Sequence, residues 1–217
     1  LTWDANEQVE GAFWRRRLER AIAGRSRLQS DAATNAYRLV HAEADGLPGL
    51  VVDRYEDWLV IQCLTLGMAR RRDEIANLLA DLLEPAGVYA RDDASVRSKE
   101  GLALETRLLW GEEPPDRLEI LENNHRFLVD LRRGHKTGFY LDQRENRARI
   151  KPLSKGKTVL NLFGYTGCFS VYAGLGGASH VTTVDSAKPA IEAAKEHWTL
   201  NQLDPKIHEA IPADVFD

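Results

Sequence analysis

The stretch VLNLFGYTGCFS, residues 159–170, decides the fold of the second half of this chain. An apolar run ends at Asn161, a turn with Gly164 and Gly167 follows, and a small-residue segment suited to a helix comes next. A strand that feeds a helix through such a turn is where open α/β sheets bind ligands. The two glycines allow positive φ and close backbone approach, and the amides that open the helix favour an anionic group.

Outward from this stretch, the apolar pattern alternates between strand and helix. It predicts strands at 158–162, 180–184 and 206–211 and helices at 142–150, 168–175 and 188–201, with a strand pair around Asn123-Asn124. Strand, helix, strand, helix, strand is the opening of a doubly wound parallel sheet. The expected fold class is therefore α/β in this half of the chain.

Acidic residues follow the strands of this predicted sheet. Asp185 comes about 20 residues after the glycine turn, the spacing expected of a carboxylate that accepts from ribose hydroxyls. Asp214 follows the third strand and could accept from an adenine amine. Because the turn lacks GxGxxG, a nucleoside without a pyrophosphate fits better than a dinucleotide. A plain βα turn with surface acids remains the competing interpretation.

The first half of the chain reads as a helix followed by a small α+β block. The pattern predicts helices at 6–28 and 71–83, strands at 50–54, 58–62 and 87–91, a loop at 95–100 and a linker at 110–116. The Pro114-Pro115 pair in the linker places a domain boundary nearby.

Composition excludes several classes of protein. The net charge of −4 argues against a globally basic nucleic-acid binder, and two distant cysteines form neither a disulfide framework nor a zinc pattern. No apolar run approaches the ~20 residues of a membrane span, and no secretory signal opens the chain, so we expect a cytoplasmic protein. Leu1 stands in place of an initiator Met and the chain stops at Asp217, which we interpret as a truncated sequence.

Two segments are locally basic and are candidate RNA contacts. Arg15, Arg16 and Arg17 lie in the first helix, where a solvated helix face is the alternative. Residues 126–151 contain eight Lys and Arg against three Asp and Glu. Within this second segment, FYLDQR at 139–144 suggests a lid over a base, or else a helix start capped by Asp142 with its aromatics in the core.

Several motifs together resemble the bacterial large-subunit ribosomal RNA methyltransferases. They are, in chain order, FWRRRLERA (13–21), DGLPGLVVDRY (45–55), HKTGFYLDQRENR (135–147), LNLFGYTGCFS (160–170), GGASHVTTVD (176–185) and ADVFD (213–217). Members of that family are class I, S-adenosylmethionine-dependent enzymes whose typical product is 5-methylcytosine. They combine a PUA RNA-binding domain, a central α+β domain and a Rossmann-like methyltransferase domain.

The resemblance implies a role for each matching residue. Asn161, Phe163, Tyr165 and Gly167 would surround the methionine part of S-adenosylmethionine. Asp185 would bind the ribose with Ser186 beside it, and Asp214 would meet the adenine. Phe139, Gln143 and Arg144 would close over the site. The predicted RNA contacts are Arg15, Arg16, Arg17, Arg132, Arg133 and Lys136.

The resemblance also implies a domain plan with parts missing. Residues 1–30 would be a helical connector after an absent PUA-like domain, 31–116 the central α+β domain, and 117–217 the first half of a Rossmann-like doubly wound sheet. The family's nucleophilic cysteine would lie beyond Asp217, so no catalytic residue is assigned in this chain. Cys63 and Cys168 are expected to be packing residues, and no histidine or metal site is assigned a role.

These observations leave three hypotheses for function. The first is methylation of a base in large-subunit ribosomal RNA, at cytosine C5, by a protein of which this chain holds the cofactor half; no methyl transfer is expected from the chain alone. The second is methylation of guanine, at N7 or elsewhere, which needs no cysteine nucleophile. The third is a non-catalytic RNA-binding or assembly module. Separately from these hypotheses, a homodimer is a predicted oligomeric state. A nicotinamide-dependent oxidoreductase is disfavoured by the missing GxGxxG.

Overall fold

The computed structural model describes residues 2, 4 and 6–216, which form two compact units. The first unit extends to Ile120 and includes Val129–Leu141, and the second comprises Leu121–Leu128 and the residues from Asp142 onward. Across these residues, no helix has the length and apolar character needed to cross a bilayer. The expectations attached to Leu1 and Asp217 lie outside the described residues.

The first unit is built on a five-stranded sheet of order β1-β2-β3-β4-β5. Its strands are β1 Ala36–His41, β2 Leu50–Tyr55, β3 Trp58–Cys63, β4 Gly87–Asp92 and β5 Glu105–Gly111. β3 and β4 run parallel and the other neighbours antiparallel. Its helices are α1 Gly11–Ala23, α2 Ser26–Gln29, α3 Leu66–Ala69 and α4 Arg72–Leu83.

Helix periodicity explains how α1 joins the core of this unit. Phe13, Trp14, Leu18 and Ala21 recur at helical spacing, and all four are buried. They share one apolar cluster with residues of α4 and of the sheet. The predicted helix at 6–28 was too long, because it divides into α1 and the short α2.

One strand of this unit was missed and two sequence predictions needed correction. β1 was not predicted, β5 overlaps the start of the predicted linker at 110–116, and the predicted loop at 95–100 is the 3-10 helix Ser95–Glu100. A second 3-10 helix spans Ala42–Asp45. The strands and the helix predicted at 50–54, 58–62, 87–91 and 71–83 are confirmed within one residue.

A hairpin follows, and the division between the units falls within it. β6 Leu118–Glu122 pairs with β7 His125–Val129. Asn123 and Asn124 adopt φ of 52° and 63°, the left-handed backbone that two-residue hairpin turns require. The predicted strand pair around these asparagines is confirmed.

The second unit contains a three-stranded parallel sheet of order β10-β9-β8. Its elements are α5 Arg144–Leu153, β8 Thr158–Leu162, α6 Cys168–Leu175, β9 His180–Asp185, α7 Lys188–Leu200 and β10 His208–Pro212. Short 3-10 helices at Leu141–Gln143 and Pro205–Ile207 precede α5 and β10. Ala173, Val181 and Trp198 lie in its apolar core.

Two details of this unit differ from the sequence interpretation. The apolar run that forms β8 is not buried on both faces, because Leu160 and Leu162 on one of them are 61% and 42% exposed. Among the described strands, β8 pairs only with β9, so it forms an edge of the sheet. The alternative in which Asp142 caps α5 is also not observed, because α5 follows Gln143 and has no side-chain cap.

Candidate functional site

The carboxyl ends of three parallel strands meet at one edge of the second unit's sheet. Leu162 of β8 lies opposite Val184 of β9, and Asp185 of β9 lies opposite Pro212 of β10. The segments that leave these strands therefore start side by side. This edge is where parallel α/β sheets bind ligands.

Asp185 holds the turn after β8 in place. Its Oδ2 accepts a hydrogen bond from the Tyr165 amide at 2.8 Å, and its Oδ1 accepts one from the Ala187 amide at 2.9 Å. A carboxylate oxygen can accept two hydrogen bonds, so each oxygen retains capacity for a ligand hydroxyl. Asp185 is thus both a support of the turn and a candidate acceptor for a ribose.

The turn adopts left-handed backbone at Gly167, where the sequence allowed it, and at two aromatic residues where the sequence did not predict it. Phe163, Tyr165 and Gly167 have φ of 54°, 46° and 70°, whereas Gly164 does not adopt a positive φ. Of the two glycines that allow positive φ, only Gly167 adopts it. Bulky residues rarely adopt this conformation, and such strain concentrates at functional sites. The Asp185 bond to Tyr165 and the Gly164 amide, which donates to the Val184 carbonyl at 2.9 Å, stabilise it.

Both glycines are nevertheless required by close packing. A Cβ on Gly164 would lie 2.6 Å from Thr183 Cγ2 and 3.0 Å from Asn161 Nδ2. A Cβ on Gly167 would lie 2.6 Å from the Cβ of Ala194 on α7. The close approach predicted at these glycines therefore occurs against the protein's own chain.

Other residues of this unit that were predicted to contact the ligand lie around the same edge of the sheet. Asn161 Nδ2 donates to Ser170 Oγ at 2.9 Å, and Ser186 is exposed directly after β9. Asp214 accepts from the Phe216 amide at 3.0 Å and is exposed. The rings of Phe163 and Phe216 lie 5.7 Å apart and are both exposed. Carboxylates, an amide and exposed rings are a suitable set for a nucleoside with a polar tail.

Comparison with known families decides the class of this site. Residues 97–213 match the family described as S-adenosylmethionine-dependent methyltransferase. The chain belongs to this family. S-adenosylmethionine, which the family resemblance implied and the glycine turn with its acids suited as a nucleoside site, is the cofactor of its members.

Individual relatives agree with the family assignment. The methyltransferase chain is 50% identical over 216 residues to ribosomal RNA large subunit methyltransferase I of Tolumonas auensis, covering 99% of this chain and 54% of that protein. A solved candidate methyltransferase complexed with SAH matches with a TM-score of 0.88 at 31% identity, covering 98% of this chain and 54% of the other. The tRNA m1G37 methyltransferase of M. jannaschii matches with a TM-score of 0.61 at 25% identity, covering 78% and 51%. The chain thus spans about half the length of the relatives it matches.

The predicted lid residues of the methyltransferase are divided between the units. Phe139 belongs to the first unit and is buried, and its amide donates to the Tyr55 hydroxyl at 3.2 Å. Gln143 and Arg144 belong to the second unit, where Arg144 pairs with Glu145 at 3.1 Å. Closure of these residues over the cofactor remains a prediction.

A buried network in the first unit anchors the segment that leads to Phe139. Arg38 donates to both carboxylate oxygens of Asp53, at 2.8 and 3.0 Å. Thr137 Oγ1 donates to Asp53 Oδ2 at 2.6 Å and lies 2.8 Å from the Tyr55 hydroxyl. Two of the motifs that carry the family resemblance, VVDRY and HKTGFY, are therefore joined by these contacts.

The predicted RNA contacts on α1 are engaged in contacts of their own. Arg15 pairs with Asp81 at 3.0 Å, Arg16 pairs with Glu7, and the Arg17 guanidinium lies 5.1 Å from the centre of the Phe13 ring. Exposed ion pairs contribute little, so phosphates could displace these acids.

The second basic segment shows the same pattern of local contacts. Arg132 pairs with Asp116, and the amides of Arg132 and Arg133 both donate to Asp130 Oδ1 at 2.9 Å. The ammonium of Lys136 lies 4.6 Å from the centre of the Tyr140 ring. The structure leaves the RNA role of all six residues as a prediction.

Sequence reasoning missed His197, which supports the glycine turn from α7. This histidine is fully buried. Its Nδ1 lies 2.8 Å from the Thr166 carbonyl, and its Nε2 accepts from the Leu128 amide at 2.9 Å. Its position in an apolar helical stripe, with Ala190, Ile191 and Ala194, was the available signal.

Both cysteines are buried, as expected. Burial raises the pKa of Cys63 to about 12 and that of Cys168 to about 11. Each is therefore a neutral thiol near pH 7, which agrees with a packing role.

Proposed function

We propose that the protein methylates a base of large-subunit ribosomal RNA, with cytosine C5 as the first candidate, and that this chain holds the cofactor half of the site. The observation that carries the proposal is Asp185, which sits at the end of β9 and holds the adjacent turn while retaining acceptor capacity. The 50% identity to a relative named as a large-subunit ribosomal RNA methyltransferase supports the substrate class.

The site residues fit S-adenosylmethionine in chemical kind. When bound, this cofactor supplies a methyl group on a positively charged sulfonium. We assign its methionine part to Asn161, Phe163, Tyr165 and Gly167, its ribose to Asp185 and Ser186, and its adenine to Asp214. We propose that the cofactor is covered by Phe139, Gln143 and Arg144. The proposed RNA contacts are Arg15, Arg16, Arg17, Arg132, Arg133 and Lys136.

The same proposal extends to the architecture. We assign residues 1–30 to a connector after a PUA-like domain, 31–116 to a central domain, and 117–217 to the first half of a Rossmann-like sheet, with β10-β9-β8 as its described strands. The compact units divide the chain at 120/121 and place 129–141 in the first unit, so these boundaries remain to be tested. A cytoplasmic location and a homodimer are part of the proposal, and sedimentation would test the latter.

Calorimetry of the chain with S-adenosylhomocysteine tests the cofactor site. We expect weak binding by the wild type and none by Asp185→Ala, since that change removes the ribose acceptor and the support of Tyr165. Asp204→Ala is the matched control, because Asp204 also accepts a backbone amide, that of Lys206, in the loop before β10. Binding of NAD instead, or equal loss with both variants, would contradict the proposal.

Methylation of a guanine is the second candidate. The likeness to the M. jannaschii tRNA m1G37 methyltransferase favours it. Nucleoside analysis of ribosomal RNA from cells with and without the gene distinguishes the products. Loss of 5-methylcytosine supports the first candidate, and loss of a methylguanosine supports the second. RNA binding without any cofactor binding would instead favour a non-catalytic module.

A further inference from the structure

A line of polar side chains runs behind the glycine turn in the second unit, with two buried hydroxyls between the half-buried side chains of Asn161 and His208. Asn161 of β8 donates to Ser170 of α6 at 2.9 Å, and Ser170 Oγ lies 2.7 Å from Thr183 Oγ1 of β9. Thr183 Oγ1 in turn lies 2.9 Å from Nε2 of His208 on β10. Ser170 and Thr183 are fully buried, and Asn161 and Thr183 are direct register partners.

The orientation of the Asn161 amide sets the direction of the hydrogen bonds. The Nδ2 group of Asn161 can only donate, so Ser170 Oγ accepts from it. In this direction Ser170 donates to Thr183, and Thr183 donates to His208 Nε2. Each hydroxyl then accepts one hydrogen bond and donates one. His208 can accept because its ring is neutral: burial lowers its pKa to about 4, with His180 and Lys195 adding to the effect. Its ring stacks on Trp198 at 4.2 Å, which fixes its plane.

This direction determines which end of the Asn161 amide is available to a ligand. With Nδ2 committed to Ser170, the oxygen Oδ1 is the free end of the amide. A reversed line, in which His208 donated to Thr183, would make Ser170 a donor and favour the flipped amide. An amide oxygen suits a ligand that donates, such as the ammonium of a methionine moiety, whereas an NH₂ group in its place would oppose it.

We propose that Ser170, Thr183 and His208 are positioning residues that hold Asn161 with its amide oxygen toward the methionine ammonium of the cofactor. This inference rests on the proposed function, because it assigns Asn161 to that part of the ligand. The three residues touch Asn161 directly or through one another. They act on cofactor affinity through the orientation of one amide.

A matched pair of variants at Thr183 separates this role from simple packing. Thr183→Val keeps the shape and removes the hydroxyl, while Thr183→Ser keeps the hydroxyl and removes the methyl that lies under Gly164. Loss of one oriented hydrogen bond should weaken S-adenosylhomocysteine binding by about fivefold to tenfold in the valine variant. The serine variant should bind within about twofold of wild type. Ser170→Ala, on a different element, should reproduce the valine result.

The opposite ranking would overturn the inference. If Thr183→Ser weakens binding and Thr183→Val does not, the site needs the methyl group of Thr183 and not the line of hydrogen bonds through its hydroxyl. Denaturant unfolding of each variant checks that it is folded.

A measurement without ligand separates this inference from the proposed function. In nuclear magnetic resonance spectra of the free chain, one Asn161 Nδ2 proton should exchange slowly with solvent in wild type and Thr183→Ser, and about tenfold faster in Thr183→Val. If the wild type bound no S-adenosylhomocysteine, the proposed function would fail for this chain. The exchange rates would still show whether the line of hydrogen bonds holds the Asn161 amide. Equal, fast exchange in all three proteins would exclude it.

Discussion

Gly167 is constrained twice in the turn before α6, by its backbone and by its neighbour. Its φ of 70° is costly for any other residue, and an added Cβ would lie 2.6 Å from Ala194 Cβ. We expect Gly167→Ala to lower the free energy of unfolding of the second unit by roughly 2–4 kcal/mol, combining left-handed strain with overpacking. Urea unfolding followed by far-UV circular dichroism measures this change.

Gly156 is the matched control for this substitution. It has nearly the same φ, 67°, but an added Cβ would meet nothing within 4 Å. Gly156→Ala should therefore cost only the backbone strain, roughly 1–2 kcal/mol. Equal losses at the two positions would show that the contact with α7 contributes nothing.

At the scale of elements, a buried ion pair joins β6 to α5 within the second unit. Arg147 donates to both carboxylate oxygens of Glu122, at 2.7 and 2.6 Å, and both side chains are buried. Tyr172 of α6 adds a hydrogen bond to Glu122 Oε1 at 3.0 Å. Arg147→Met should cost roughly 3–5 kcal/mol, because it leaves a buried carboxylate without its partner.

The double variant Glu122→Gln with Arg147→Met tests that reason. It removes both charges, so it should be more stable than Arg147→Met alone by about 1 kcal/mol or more. Glu192→Gln, in the exposed pair with Lys195, serves as the surface control and should change the unfolding free energy by about 0.5 kcal/mol or less. A double variant as unstable as the sum of its single changes would show that the charges are not coupled.

Elements with strong local signals could be predicted from the sequence. β8 and α6 have the predicted bounds because an apolar run, a glycine turn and a small-residue segment each act locally. Asp185 was located by its spacing from that turn. β5 was missed because it is a largely exposed strand with a weak pattern, and β1 because both of its faces are partly buried and it shows no alternation.

Contacts between distant residues could not be predicted in this way. The bond between Thr137 and Asp53 joins residues 84 positions apart, and the bond between His197 and Leu128 spans 69. Neither has a local pattern. The positive φ of Phe163 and Tyr165 could not be predicted either, because the rule that assigns positive φ to glycine pointed to Gly164 instead.

At the scale of the whole molecule, buried histidines make stability depend on pH. Burial lowers the pKa of His125 and of His208 from 6.5 to about 4, with Lys151 adding to the effect at His125. His125 Nε2 lies 3.2 Å from Lys151 Nζ, which suits a neutral ring that accepts. An unfolded histidine takes up its proton near its ordinary pKa of 6.5, whereas these folded ones do so only near 4.

Between those two pKa values the unfolded chain binds more protons, so the free energy of unfolding must fall as the pH is lowered from 6.5 toward 4. Well above pH 6.5, where the folded and unfolded histidines are both deprotonated, these groups contribute no pH dependence. For the pair we expect a loss of roughly 1–3 kcal/mol between about pH 7 and about pH 5, reduced from the ideal value by partial solvent screening. Urea unfolding at the two pH values measures it.

The double variant His125→Gln with His208→Gln keeps polar side chains but removes the titration, so its loss of unfolding free energy over the same pH interval should be much smaller. An unchanged loss would assign the acid sensitivity to groups other than these two histidines.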